Sequence, residues 1–247
     1  MIFGLVKMQM KIMTRELEDL VVGIGIPLLL LFIFVGMAPE ETRHYNAAFM
    51  LPGFLLLAML LVCVYIFGKS HTYARSSKFL RRLGMTPVKN THYVIASVIS
   101  QFIAVVFYVL PPTIVAIAVF NLDVAAVNWP LFVPIFLLCF LMFSAIGMVL
   151  ANISADAKRS FNVCNIFYFA FAFLGGLFIQ LFPEPRLMTI SRYTIGGAYP
   201  LEIMRYVFAD AIGFFTPVDS LAGLYLFVTI GVTVVCGAVA VKIFKFE

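Results

Sequence analysis

Apolar residues in this chain fall into long unbroken runs rather than the alternating stripes of a water-soluble fold. Six runs, 21–37, 47–68, 93–120, 130–151, 162–182 and 221–241, contain no Asp, Glu, Lys or Arg. A helix needs about 20 consecutive apolar residues to cross about 30 Å of hydrocarbon, so the pattern predicts six membrane-spanning helices. The first run is short, and the helix before it extends it. In the third, Pro111-Pro112 predicts a kink or the start of the chain's exit. Ahead of the first run the pattern changes: Phe3, Val6, Met10, Met13, Leu17 and Leu20 recur at three- and four-residue steps, with Lys7, Lys11, Thr14 and Glu18 opposite. That periodicity predicts an amphipathic helix over 1–20 lying along the membrane surface. It is longer than the short basic lead of a signal peptide, so it is read as retained.

Composition removes the soluble alternatives. Of 247 residues, 63% are hydrophobic and 12% charged, and the mean hydropathy is +1.06. A soluble domain carries about 25% charged residues, and so few polar groups could not cover so apolar a core. The predicted fold class is all-α. It is one integral membrane domain over 1–247: a six-helix bundle with an N-terminal interfacial helix and an outer helical hairpin within 183–220. No polar stretch is long enough for a second domain.

Charge adds direction. Suppose both termini share a side with segments 69–92 and 152–161. That side then holds Lys7, Lys11, Arg15, Lys69, Arg75, Lys78, Arg81, Arg82, Lys89, Lys158, Arg159, Lys242 and Lys245. The other side holds Arg43, Arg186, Arg192 and Arg205. The positive-inside bias therefore predicts cytoplasmic termini, with 69–92 cytoplasmic and 183–220 extracellular. Bases gathered beside spans point to lipid headgroups or an acidic protein surface rather than to nucleic acid.

Site chemistry is sparse. Phe67-Gly68-Lys69-Ser70 looks like the end of a phosphate-binding loop, but Cys63 stands where its first glycine belongs, so it reads as a helix end with a snorkelling lysine. His44, His71 and His92 show no ligand spacing and read as solvated loop histidines. Cys63, Cys139, Cys164 and Cys236 lie in apolar runs and read as small buried hydrophobes. Asn152-Ile153-Ser154 matches a glycosylation triplet on the wrong side of the membrane. Proton-driven transporters use ionisable groups inside their spans as relays. None stands in the six runs, so motive force is expected to enter from outside the bilayer, a sodium site of backbone carbonyls being the remaining route.

The segment 69–92 carries six bases and no acid. Its centre, 75–83, reads as a short helix with Phe79, Leu80 and Leu83 on one side and bases on the others, closed by Gly84 and Pro87. Charge alone allows an anchor on anionic lipid; the sharper reading is a helix that docks another subunit.

The run Phe79-Leu80-Arg81-Arg82-Leu83-Gly84-Met85-Thr86-Pro87-Val88 resembles the L-K-R-L-x-x-T-P segment after the second span of ABC-2 type transporter permeases. Two further stretches are similar to that family. Arg15 to Pro27 with the apolar run after it resembles its interfacial helix and first span. Gly175-Gly176-Leu177-Phe178, Pro183, Pro185, Ile190-Ser191 and Glu202-Ile203-Met204-Arg205 resemble its fifth span, outer hairpin and E-x-L-R ending. The chain departs from the family at Ser76, where an acid is usual, and at Gly196, where a proline is usual.

The resemblance implies an export permease in the plasma membrane, with no catalytic residue, cofactor or metal on this chain. Such subunits pair, alike or different, and work with separate ABC ATPase subunits that bind ATP and Mg. It places Arg75, Lys78, Phe79, Arg81, Arg82, Thr86 and Pro87 at the ATPase-coupling segment. Spans two and five tend to line the pathway in this family, which makes Asn165, Tyr168, Phe171 and Phe178 pathway candidates. A Phe-rich stripe also serves as packing or lipid-facing surface. Glu202 and Arg205, three apart, read as a surface ion pair or a gate. With no charge in the spans, a hydrophobic or amphipathic cargo (drug, lipid or peptide) is expected. The rival reading is a membrane-embedded immunity or sensor protein that binds a peptide or lipid without transporting it.

Overall fold

A computed structural model describes residues 2–13, 17–85, 90–154, 156–177, 186–212 and 219–243. Among them the chain is helical, with no strand. In chain order the helices are α1 (Ile2–Met13); α2 (17–36), which includes the wide π-helical turn Val21–Gly25; α3 (43–76), with a second wide segment at Leu61–Ile66; α4 (Phe79–Gly84); and α5 (Asn90–Ala118). They continue as α6 (Trp129–Ala151), α7 (Ala157–Leu174), α8 (Arg186–Ile195), α9 (Ala198–Val207), α10 (Ala209–Ile212) and α11 (Asp219–Ile243). Four of them, α3, α5, α6 and α11, are long and apolar enough to cross a membrane, and Val21–Gly36 is a shorter apolar helix.

The apolar runs become helices with shifted ends. α3 runs eight residues beyond 68, to Ser76, and α7 stops at Leu174, well before 182. In α5 the helix continues through Pro111-Pro112 to Ala118. The Thr113 hydroxyl donates to the Val109 carbonyl one turn back at 2.9 Å, which helps hold the turn that lacks two amide donors. The expected exit comes later, at Asn121, whose φ is +52°.

α3 is the axis of the bundle. In its most apolar 18 residues, 94% are buried, against 17% in α11, which lies at the periphery. Around α3 pack α2, α5, α6, α7 and α9, while α11 leans on α6 and α9. Close approach at the axis needs a glycine. A side chain at Gly147 of α6 would fall on the Cys63 carbonyl, inside the wide segment of α3. Contacts of this small-residue kind let helices associate where lipid removes the hydrophobic drive between them.

The amphipathic helix α1 does more than lie on a surface. Leu5, Val6, Gln9 and Met13 are buried, and α1 packs along α5. The Gln9 amide donates to the Ser97 hydroxyl at 2.8 Å and its carbonyl accepts from Ser100 at 2.9 Å. These bonds rotate α1 relative to the face predicted from apolar spacing, and Phe3 is left 81% exposed.

At one end of the bundle, α1, the α3–α4 corner, residues 152–154 after α6 and the start of α7 form one plate. At the other, α8 and α9 make a helical hairpin that folds back in among the helices. α9 packs against α3, α6 and α11, and the Asn128 amide at the start of α6 donates to the Val207 carbonyl at 3.2 Å. Ten residues of helix reach about 15 Å, so the apex at Gly196-Gly197 sits well below that end and touches the backbone of Gly175.

Candidate functional site

The basic corner is built by two serines. Ser76 and Ser77 hydroxyls donate to the carbonyls of Tyr73 and Ala74, three residues back, and compete with helix continuation. The helix predicted over 75–83 therefore divides at Ser77-Lys78, where Lys78 has φ +55°. Beyond it α4 turns its apolar side into the protein: Leu80 is buried with Ala74 and Tyr93, and Phe79 and Leu83 pack beside them. Lys78 and Arg82 are exposed, and Arg82 donates to the Ser77 carbonyl at 2.9 Å.

Arg75 faces elsewhere. Its Nη1 donates to the Ser154 carbonyl at 2.9 Å and to the Ala151 carbonyl at 3.4 Å, where α6 ends. A guanidinium suits the negative end of a helix dipole, so this cation ties α3 to α6. Ser76, at the position where the family's acid is usual, is exposed. The Arg81 side chain, Thr86 and Pro87 lie outside the described residues.

Two polar contacts beside this corner were not legible in the sequence. His71, expected to be a solvated loop residue, is instead 1% exposed, because α3 continues past it. Its Nε2 lies 3.0 Å from Asn152 Oδ1 and its Nδ1 3.4 Å from the Tyr93 hydroxyl, with the ring stacked 5.5 Å from Phe67. Asn152 also donates to the Met148 carbonyl at 2.8 Å. One imidazole thus joins α3, α5 and the end of α6. Lys69, read as a snorkelling lysine, places Nζ 3.2 Å from Asp19 Oδ1, and Asp19 is 6% exposed. The one trace of this contact in the sequence is Asp19, an acid two residues ahead of the first apolar run, and nothing there pairs it with Lys69.

The hairpin holds a second charged group. Glu202 and Arg205 are not a surface pair. Arg205 is 2% exposed and Arg192 3% exposed. Glu202 Oε1 accepts from Arg192 Nη2 at 2.7 Å and from Arg205 Nη1 at 3.3 Å, and the Arg205 guanidinium lies 3.9 Å above the Phe49 ring of α3. Helical spacing brings Glu202 to Arg205; the turn at Gly196 brings in Arg192 from α8. Gly196 has φ +90°. Proline, fixed near −65°, cannot take that conformation, so the departure from the family's proline changes the backbone itself. The absence of charge from the six apolar runs is therefore not an absence of buried charge: it arrives on the folded-back hairpin.

Among the pathway candidates, Tyr168 and Phe171 point into the core. Tyr168 lies 5.5 Å from Tyr65, and Phe171 meets Phe143 edge-on at 5.5 Å. Asn165 is half-buried, and Phe178 lies outside the described residues. The open face of α7 carries Asn162, Ile166, Phe169 and Phe173 instead.

A bundle of apolar helices around a buried central one, with a basic plate at one end and a re-inserted hairpin at the other, defines a multi-pass membrane protein. Residues 2–209 match the ABC-2 type transporter family, and the chain belongs to that family. It is the membrane-spanning permease component of an ABC transporter, a family whose permeases associate with ABC ATPase subunits. No curated protein matches the chain.

Proposed function

We propose that this subunit exports a hydrophobic or amphipathic cargo (drug, lipid or peptide), driven by ATP and Mg held on a separate ATPase. In this reading six helices span the plasma membrane: α2, α3, α5, α6, α7 and α11. Both termini and the basic plate face the cytoplasm, the hairpin faces outward, and a second permease, alike or different, completes the pathway. The observation that carries it is the basic corner at α4. Exposed Lys78 lies at the head of α4 and exposed Arg82 on it, and the apolar side of that helix is locked against Ala74 and Tyr93. A push on α4 is thereby passed directly to the central helix α3, and Arg75 and His71 pass it on to α6.

The test is charge reversal. Arg81→Glu with Arg82→Glu puts acids where an acidic partner surface would dock, and like charges facing each other cost several kcal/mol. ATP-driven movement of a fluorescent phospholipid analogue, in vesicles holding the permease and its ATPase, should fall about tenfold or more. Insertion of the chain should be unchanged. Full export by the double variant would refute docking at this corner.

A further inference from the structure

A lateral groove lies away from the basic corner. α7 and α11 both pack on α6 but scarcely on each other, and the hairpin apex caps the gap between them. The result is a cavity of about 350 Å³. Its walls include Ile146 and Val149 of α6, Phe167 of α7, Tyr199 of α9, and Val232 and Cys236 of α11. The lining hydroxyl of Thr229 is already committed, donating to the Tyr225 carbonyl at 2.8 Å.

We propose that this groove holds one acyl chain of a bilayer phospholipid. Water is a poor occupant, since an apolar cavity without free polar partners stays dry. An empty one would forfeit dispersion contacts on every wall. The surroundings supply hydrocarbon: α11 is a candidate membrane span, and its outward side chains Phe227, Val234 and Val235 are exposed. A liquid water molecule occupies about 30 Å³ and a methylene about as much, so the cavity takes roughly a dozen carbons. The proposal does not depend on what the transporter exports.

The full chain is reconstituted in dioleoylphosphatidylcholine vesicles, extracted in mild detergent and weighed by native mass spectrometry. One phosphatidylcholine per chain should be retained. Val232→Phe, which fills the groove, should cut retention about tenfold, a shift of about 1.4 kcal/mol. Val235→Phe, on the exposed face, should leave retention unchanged. A second measurement needs no variant. Cys63, Cys139 and Cys164 are buried, so a lipid-soluble maleimide reports on Cys236, and its reaction should speed up about tenfold once lipid is stripped. Retention indifferent to Val232→Phe, or a Cys236 rate indifferent to stripping, overturns the proposal. So does efficient Cys236–Cys236 cross-linking, which would put a second copy of the chain in the groove.

Discussion

Replacing Glu202 with Ala should destabilise the protein by about 3–5 kcal/mol, the cost of breaking a buried charge cluster by removing one partner. Two guanidiniums, 2% and 3% exposed, would then sit together in the hairpin without the carboxylate that bridges them. The loss should be smaller for Glu202→Gln, which keeps an acceptor oxygen. It should be partly reversed by adding Arg192→Met, which removes one of the two cations that the carboxylate bridges. Unfolding of the purified chain in detergent, followed by helical circular dichroism and by proteolysis within the hairpin, reads both effects. Equal stability of Glu202→Ala and the unaltered protein would mean that the cluster is solvated.

Gly147→Val should be the second severe lesion. The added side chain would meet the Cys63 carbonyl, which is backbone and cannot swing aside, so α6 must part from the central helix. Overpacking of this kind costs typically about 1–3 kcal/mol, and more where backbone must move. Gly231, in the middle of α11, has nothing within 4 Å of where a side chain would begin. Gly231→Ala should therefore stay within about 0.5 kcal/mol. Measured side by side, the pair separates a packing contact from a general intolerance of side chains at membrane glycines.

The helices were legible because their defining property is one-dimensional. A run without charge long enough to cross hydrocarbon can be read directly, and so can the amphipathic spacing of α1. Helix ends were less so. The stop at Ser77 depends on serine hydroxyls turning back to carbonyls, and the same Ser-Ser pair would also fit a loop. That misplaced end carried His71 from an expected loop into the core. The hairpin's chemistry was hidden for a different reason. Glu202 and Arg205 have the same spacing whether their helix faces water or is folded into the bundle. Arg192 joins them only through the turn at Gly196, and Phe49 only through tertiary packing. The proposed coupling segment was read from its resemblance and its bases. That Arg75 serves α6, while Lys78 and Arg82 stay exposed, needed the fold.

Extraction of the tagged, full-length chain from its native membrane in mild detergent, followed by assay of the purified material for ATP hydrolysis and its subunits, tests the central claim most directly. The expected result is an ATP-hydrolysing subunit retained in proportion to the permease and lost from the Arg81→Glu, Arg82→Glu variant. Purification of the folded chain free of any such subunit, together with uphill solute accumulation in vesicles containing this chain alone, would contradict it.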